Sequence, residues 1–175
     1  MPPGIIRPAT NADVPKLAGV NLRSWQAAYR GIMPDAGLAA LTLSEFEAVW
    51  GENLAAAGRA NLLCEVEGQV VGFVSFGATR EKDGGAEKVG EIIGLYLDPP
   101  YWGKGLGRML CDEALAGLAA AGYGEVTLWV LTENGRARRF YERAGFTLEP
   151  AALMNVRRWD TDLPHVRYRR WARSG

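Results

Sequence analysis

Apolar positions recur along this chain with two different periods, and the places where the period changes outline the fold. Ile5 to Arg7 reads as a short first strand. Thr10, Asn11 and Asp13 offer side-chain oxygens for a helix start, and Pro15 suits a first helical turn. Val14, Leu17, Ala18, Asn21, Trp25 and Ala28 then fall on one face of a helix that runs to about Tyr29 and stops at Gly31. Pro34 to Leu41 reads as a second, short helix. Ser44-Glu45-Phe46-Glu47 has capping-box spacing and opens a third, with Phe46, Val49, Trp50 and Leu54 expected inward. The period then falls to two. Leu62 to Glu67 and Val70 to Thr79 form a hairpin about Gly68-Gln69, and Glu81 to Lys88 is a polar, glycine-rich loop.

Val89 to Leu97 is the next strand, Gly105 to Ala121 the next helix, and Glu125 to Leu131 another strand. A strand–helix–strand unit of this length implies a parallel pair with a right-handed crossover. A helix from Asn134 to Ala144 follows, then terminal strands at Phe146 to Leu148, Leu153 to Trp159 and Val166 to Trp171. Hairpins, one parallel crossover and antiparallel strands again make an α/β (α+β) domain spanning residues 1–175. No internal repeat or low-complexity segment interrupts it.

Composition narrows the function. A chain of 175 residues is one domain's worth, and its 20 basic and 20 acidic residues cancel. A general nucleic-acid or membrane-surface binder should carry a basic excess, so neither partner is expected. Arg157-Arg158 and Arg167 to Arg173 form a local basic bias that reads as a solvated strand edge. Cys64 and Cys111 sit in apolar patterns and read as reduced and buried. His165 is the one histidine in the sequence, without a ligand cluster around it, so no metal is expected. It reads as a surface or turn histidine. No cationic leader opens the sequence and no stretch approaches membrane-spanning length, which points to the cytoplasm. A homodimer is compatible with the sequence, as is a monomer.

The chemistry concentrates between Glu91 and Leu110. An apolar strand ends at Asp98-Pro99-Pro100, and Gly103, Gly105 and Gly107 alternate before an amphipathic helix. Glycines at a helix start let backbone amides crowd an anion, and the helix dipole favours negative charge there. Gly107 is followed by Arg108-Met109, which excludes the nucleoside-triphosphate loop; Arg108 stands where the dinucleotide fingerprint needs its third glycine. A tight turn of purely structural purpose would use the same residues.

Two motifs together carry a resemblance. Trp102-Gly103-Lys104-Gly105-Leu106-Gly107 is similar to the pyrophosphate loop of the GNAT superfamily of N-acetyltransferases, with Trp102 where Gln or Arg is usual. Asn134-Gly135-Arg136-Ala137-Arg138-Arg139-Phe140-Tyr141-Glu142-Arg143-Ala144-Gly145-Phe146 resembles that family's second signature, Asn-x-x-Ala-x-x-Phe-Tyr-x-x-x-Gly-Phe. Trp25 through Leu41 is similar to the acceptor-side helices of many bacterial members, so the resemblance covers nearly the whole chain.

The resemblance implies a single mixed, mostly antiparallel sheet of about seven strands with a central parallel pair, flanked by helices. It implies acetyl-CoA as co-substrate, held by residues 102–108 with Lys104 and Arg108 as cationic help. Backbone around Leu95, Tyr96 and Leu97 would pair with the pantetheine arm, and an amide at or near Leu97 would face the thioester oxygen. Asn134 would contact the cofactor, and Tyr141 would give a proton to the departing sulfur. Asn134 also reads as a helix cap, and Phe140-Tyr141 as ordinary core aromatics. Glu91 resembles the base of the histone-acetylating members; period two puts it on the face carrying Leu95 and Leu97. A hydrated glutamate beside Lys88 is the competing description. Trp25, Tyr29 and Met33 fall where the family builds the acceptor pocket, although an amphipathic helix buries the same residues. Trp159 and His165 fall near its other wall.

Acyl transfer to a primary amine of a small molecule, by direct attack, is the function this implies. A peptide N-terminus or lysine acceptor is the alternative within the enzyme class. A non-catalytic acyl-CoA sensor is the alternative outside it.

Overall fold

The computed structural model describes residues 3–81 and 89–171. The segment expected as a polar loop, Lys88 included, lies outside the described residues beyond Glu81, as do the last residues of the basic C-terminal stretch. Among the described residues five α-helices and seven strands are formed: β1 (Ile5–Pro8), α1 (Val14–Ala28), α2 (Asp35–Ala40), α3 (Leu43–Ala55), β2 (Arg59–Val66), β3 (Gln69–Ala78), β4 (Val89–Leu97), α4 (Leu106–Ala120), β5 (Glu125–Leu131), α5 (Gly135–Arg143), β6 (Thr147–Arg158) and β7 (Thr161–Trp171). They make one sheet in the order β1-β2-β3-β4-β5-β7-β6. β4 and β5 are its one parallel pair among the described residues.

The sheet divides the core in two. Phe73 packs with Leu17, Val20 and Trp50 of α1 and α3, whereas its neighbour Val74 packs with Leu106, Leu110 and Leu118 of α4. Both layers are close-packed, and Trp50 and Leu110 are almost wholly buried.

Local chemistry explains most boundaries, and it moves some of the expected ones. The third helix is capped by Thr42, not Ser44: Thr42 accepts from the Glu45 amide while Glu45 reaches back to the Thr42 amide. Val49, expected inward, instead faces out and is 46% exposed, while Phe46 and Trp50 of the same helix are buried. The terminal strands expected as separate pieces at Phe146–Leu148 and Leu153–Trp159 are one strand, β6, with a bulge between Glu149 and Leu153. Strand β7 is not an edge. It lies between β5 and β6, so its arginines are paired rather than solvated: Arg167 with Glu149 at 2.6 Å, Arg169 with Glu125 at 2.8 Å. His165 sits in this strand opposite Leu131, not in a turn.

Two irregularities shape the middle of the sheet. Ser75 pairs with Gly94 but Phe76 pairs with Ile92, so β4 carries an extra residue at Ile93. The bulge reverses the alternation beyond it. Ile92, Leu95 and Leu97 all pack on the α4 side, and Tyr96 packs on the α1 side. Glu91 alternates with Ile92 and therefore faces the α1 side with Tyr96, opposite to the face that uniform period two assigned to it. The second irregularity is a splay. Pairing of β4 with β5 ends at Glu91–Thr127, although both strands continue.

Candidate active site

The splay leaves one edge of β4 without a strand partner. The Asp98 amide donates to Val71, which sets the alternation of this antiparallel ladder: Tyr96 points its backbone at β3, and Leu95 and Leu97 point theirs toward β5. Leu95 and Leu97 thus turn backbone groups toward the opening, whereas those of Tyr96 are turned toward β3. Tyr96 contributes its side chain. The Leu97 carbonyl is already taken, by the Ser24 hydroxyl at 2.8 Å and the Trp102 indole N–H at 2.7 Å.

The glycine turn closes the same opening at its outer end. Gly103 and Gly105 have φ of 73° and 84°, and a Cβ at either would meet nothing within 4 Å. These positions need glycine for its backbone freedom and leave clear space above the loop. Gly105 caps α4, and the Met109 amide returns to the Gly105 carbonyl. The first-turn amides of Leu106, Gly107 and Arg108 are then free for an anion. Gly107 serves packing as well: a Cβ there would lie 3.1 Å from Leu97 and 3.5 Å from Phe140.

Tyr141 reaches the inner end from α5. Asn134 caps that helix, its side chain accepting from the Ala137 amide at 3.1 Å. The Tyr141 ring packs edge-on against Phe140 and Phe146, centroids 5.1 and 5.8 Å away. Among the described residues its hydroxyl has no hydrogen-bond partner. Burial holds its pKa well above the phenol range, with the neighbouring Cys111 and Tyr96 adding to the effect. Such a group is protonated at any working pH; it can give a proton and cannot serve as a base.

Across the opening, the Tyr29 and Tyr96 hydroxyls lie 2.8 Å apart. Burial raises the pKa of both. Trp25 packs edge-on against Tyr29 at 5.1 Å, and Arg158 lies over the Trp25 and Trp159 rings at 5.1 and 4.5 Å. The acceptor-side residues therefore split: Trp25 is part-buried beside Arg158, Tyr29 presents a hydroxyl, and Met33 is a core side chain, 6% exposed.

Glu91 is buried rather than hydrated, 1% exposed. Its carboxylate accepts from the Arg80 amide at 3.0 Å and from the Arg80 guanidinium at 2.5 Å. The cysteines are free and buried, with burial pushing the Cys111 thiol up to about 11. A thiol so placed is a poor nucleophile. Half-buried His165 holds its Nδ1 2.8 Å from the Leu163 carbonyl, its pKa lowered by burial. Sequence reasoning missed Ser24, Arg80, Arg136 and Arg158. Each is a polar residue whose partner is distant in sequence or an aromatic ring.

A mixed sheet that splays at its parallel pair, beside a glycine-rich helix start and a protonated tyrosine, defines a class: acyl-CoA-dependent transferases of the GNAT type. Comparison with known proteins agrees. The acetyltransferase (GNAT) family profile matches residues 23–146, which include both glycine and asparagine–tyrosine motifs. The chain belongs to this family.

The chain is 31% identical over 130 residues to the uncharacterized N-acetyltransferase YuaI of Bacillus subtilis, covering 74% of this chain and 72% of that one. It is 53% identical over 58 residues to a mycothiol acetyltransferase of Beutenbergia cavernae, 33% of this chain and 20% of that protein. The chain thus spans much less than the full length of several curated relatives it matches. Among solved structures, PaiA N-acetyltransferase of Thermoplasma acidophilum, in complex with coenzyme A, superposes with a TM-score of 0.76 at 20% identity, covering 97% and 99% of the two chains.

Proposed function

We propose that this domain transfers the acetyl group of acetyl-CoA to the primary amine of a small molecule by direct attack. The observation that supports a small acceptor is the wall built by the β6–β7 hairpin. Its tip residue Trp159 lies so close to α2 that a Cβ on Gly37 would be 2.4 Å from the indole. With Arg158 over Trp25, the tip narrows the acceptor side where an extended peptide would need an open groove.

Acetyl-CoA supplies an activated thioester. The loop amides and the Leu95 and Leu97 backbone bind and orient it, and Asn134 fixes the helix that carries Tyr141. Tyr141 donates its proton to the departing sulfur. Glu91, on the acceptor face of β4, takes the amine proton once Arg80 is displaced from it. An acceptor ammonium is a cation of the same sign and can take the guanidinium's place. Neither cysteine is set up for a covalent intermediate, which supports direct attack over a ping-pong route.

Initial rates over a matrix of acetyl-CoA and amine concentrations test this reading. Direct attack gives intersecting double-reciprocal lines with a small amine, whereas parallel lines, or turnover with peptides alone, would count against it.

A further inference from the structure

The basic residues that the sequence nominates for the phosphate loop are engaged elsewhere. Arg108 is held by Asp112 one turn along α4, Nε to carboxylate 2.8 Å, and also reaches the Arg143 carbonyl. The Lys104 ammonium lies over the Tyr101 ring, 5.2 Å from its centroid. The cation turned to the opening is Arg136, from the first turn of α5. Its guanidinium carbon is 3.2 Å from the centroid of the Trp102 ring, a flat stack. Trp102 is itself fixed by its N–H bond to Leu97. Among the described residues Arg136 has no carboxylate partner, and partial burial lowers its pKa.

The stack spans the opening, from the wall that carries Tyr141 to the loop that begins α4. A guanidinium lying flat on an indole keeps its N–H donors free at the edges, pre-oriented for bidentate contact with a phosphate.

We infer that Arg136, seated on Trp102, is a cofactor-binding residue that grips the diphosphate of coenzyme A from the side opposite the loop amides. This rests on the reading of the domain as an acetyl-CoA enzyme. Trp102 then acts as a platform: it brings no charge itself and positions the arginine that does.

Titration calorimetry on the intact chain with two ligands tests this: coenzyme A, and S-acetylpantetheine, which lacks every phosphate. Arg136→Ala should weaken coenzyme A by on the order of tenfold, the usual weight of one charge-assisted contact, and leave S-acetylpantetheine unchanged. Arg136→Lys should recover part of the loss. Trp102→Ala should reproduce part of it, and the double variant should be no worse than Arg136→Ala, because the two act as a unit. A general loosening of the cleft moves both ligands alike. Equal losses for both, or unchanged coenzyme A affinity in Arg136→Ala, would overturn the assignment while leaving the acetyl-CoA reading in place. A wild-type chain that binds neither ligand overturns both.

Discussion

The hydroxyls of Tyr29 and Tyr96 meet 2.8 Å apart, tying the end of α1 to the strand that borders the cofactor opening. Tyr141 weighs on the ionisation of Tyr29, and Tyr96 on that of Tyr141. Two buried phenols, Tyr29 and Tyr141, and the part-buried Tyr96 facing one opening give the fold a pH signature. Burial favours each neutral form, so the folded chain holds these protons more tightly than the unfolded chain. Their contribution to stability is complete below the unfolded pKa of about 10 and is lost as pH rises beyond it. Melting temperature should fall between pH 9.5 and 11.5, and a Tyr29→Phe/Tyr96→Phe variant should show a shallower fall. Parallel curves for variant and parent would contradict the pairing.

Gly105→Val should separate fold from binding. At φ 84° a β-branched residue is strained, at about 1–2 kcal/mol, but its Cβ meets no neighbour. The chain should fold with a lowered melting temperature, and acetyl-CoA should no longer raise it. Gly105→Asn, tolerant of this backbone region, should recover much of the stability while still weakening the cofactor. Undiminished cofactor stabilisation in Gly105→Val would remove the loop from the binding site.

Gly37→Val should disturb the acceptor alone. The added side chain collides with the Trp159 indole and pushes the hairpin tip away. The amine KM should rise several-fold while the acetyl-CoA dissociation constant holds. Changes in both constants would mean that the tip is a structural brace rather than an acceptor wall.

Much of this arrangement is legible in the sequence, and the exceptions share a cause. The glycine turn, the Asn134 cap and the strand limits of β4 and β5 follow from local chemistry within a few residues. The bulge at Ile93 does not. It exists because β3 and β4 differ by one residue between two fixed pairings, and it decides which face Glu91 occupies. The Arg80–Glu91 pair, the Trp102–Arg136 stack and the interior place of β7 depend likewise on neighbours known only once the sheet is assembled. Period two could not have found them.

Glu91 yields the sharpest prediction of this kind. Glu91→Gln should leave acetyl-CoA affinity intact and lower turnover, since Gln accepts no proton. Arg80→Ala frees the carboxylate and should raise the rate at low amine concentration, where displacement of the guanidinium limits. Equal turnover for Glu91→Gln and parent would assign Glu91 and Arg80 to structure.

In the proposed mechanism Tyr141 protonates the departing sulfur of acetyl-CoA. Single-turnover release of free coenzyme A thiol, followed with saturating amine for the parent and Tyr141→Phe, tests it most directly. The chemical step should slow by about a hundredfold, the ordinary weight of general-acid catalysis, with acetyl-CoA affinity unchanged. An unaltered single-turnover rate in Tyr141→Phe would contradict the account and return this tyrosine to the core.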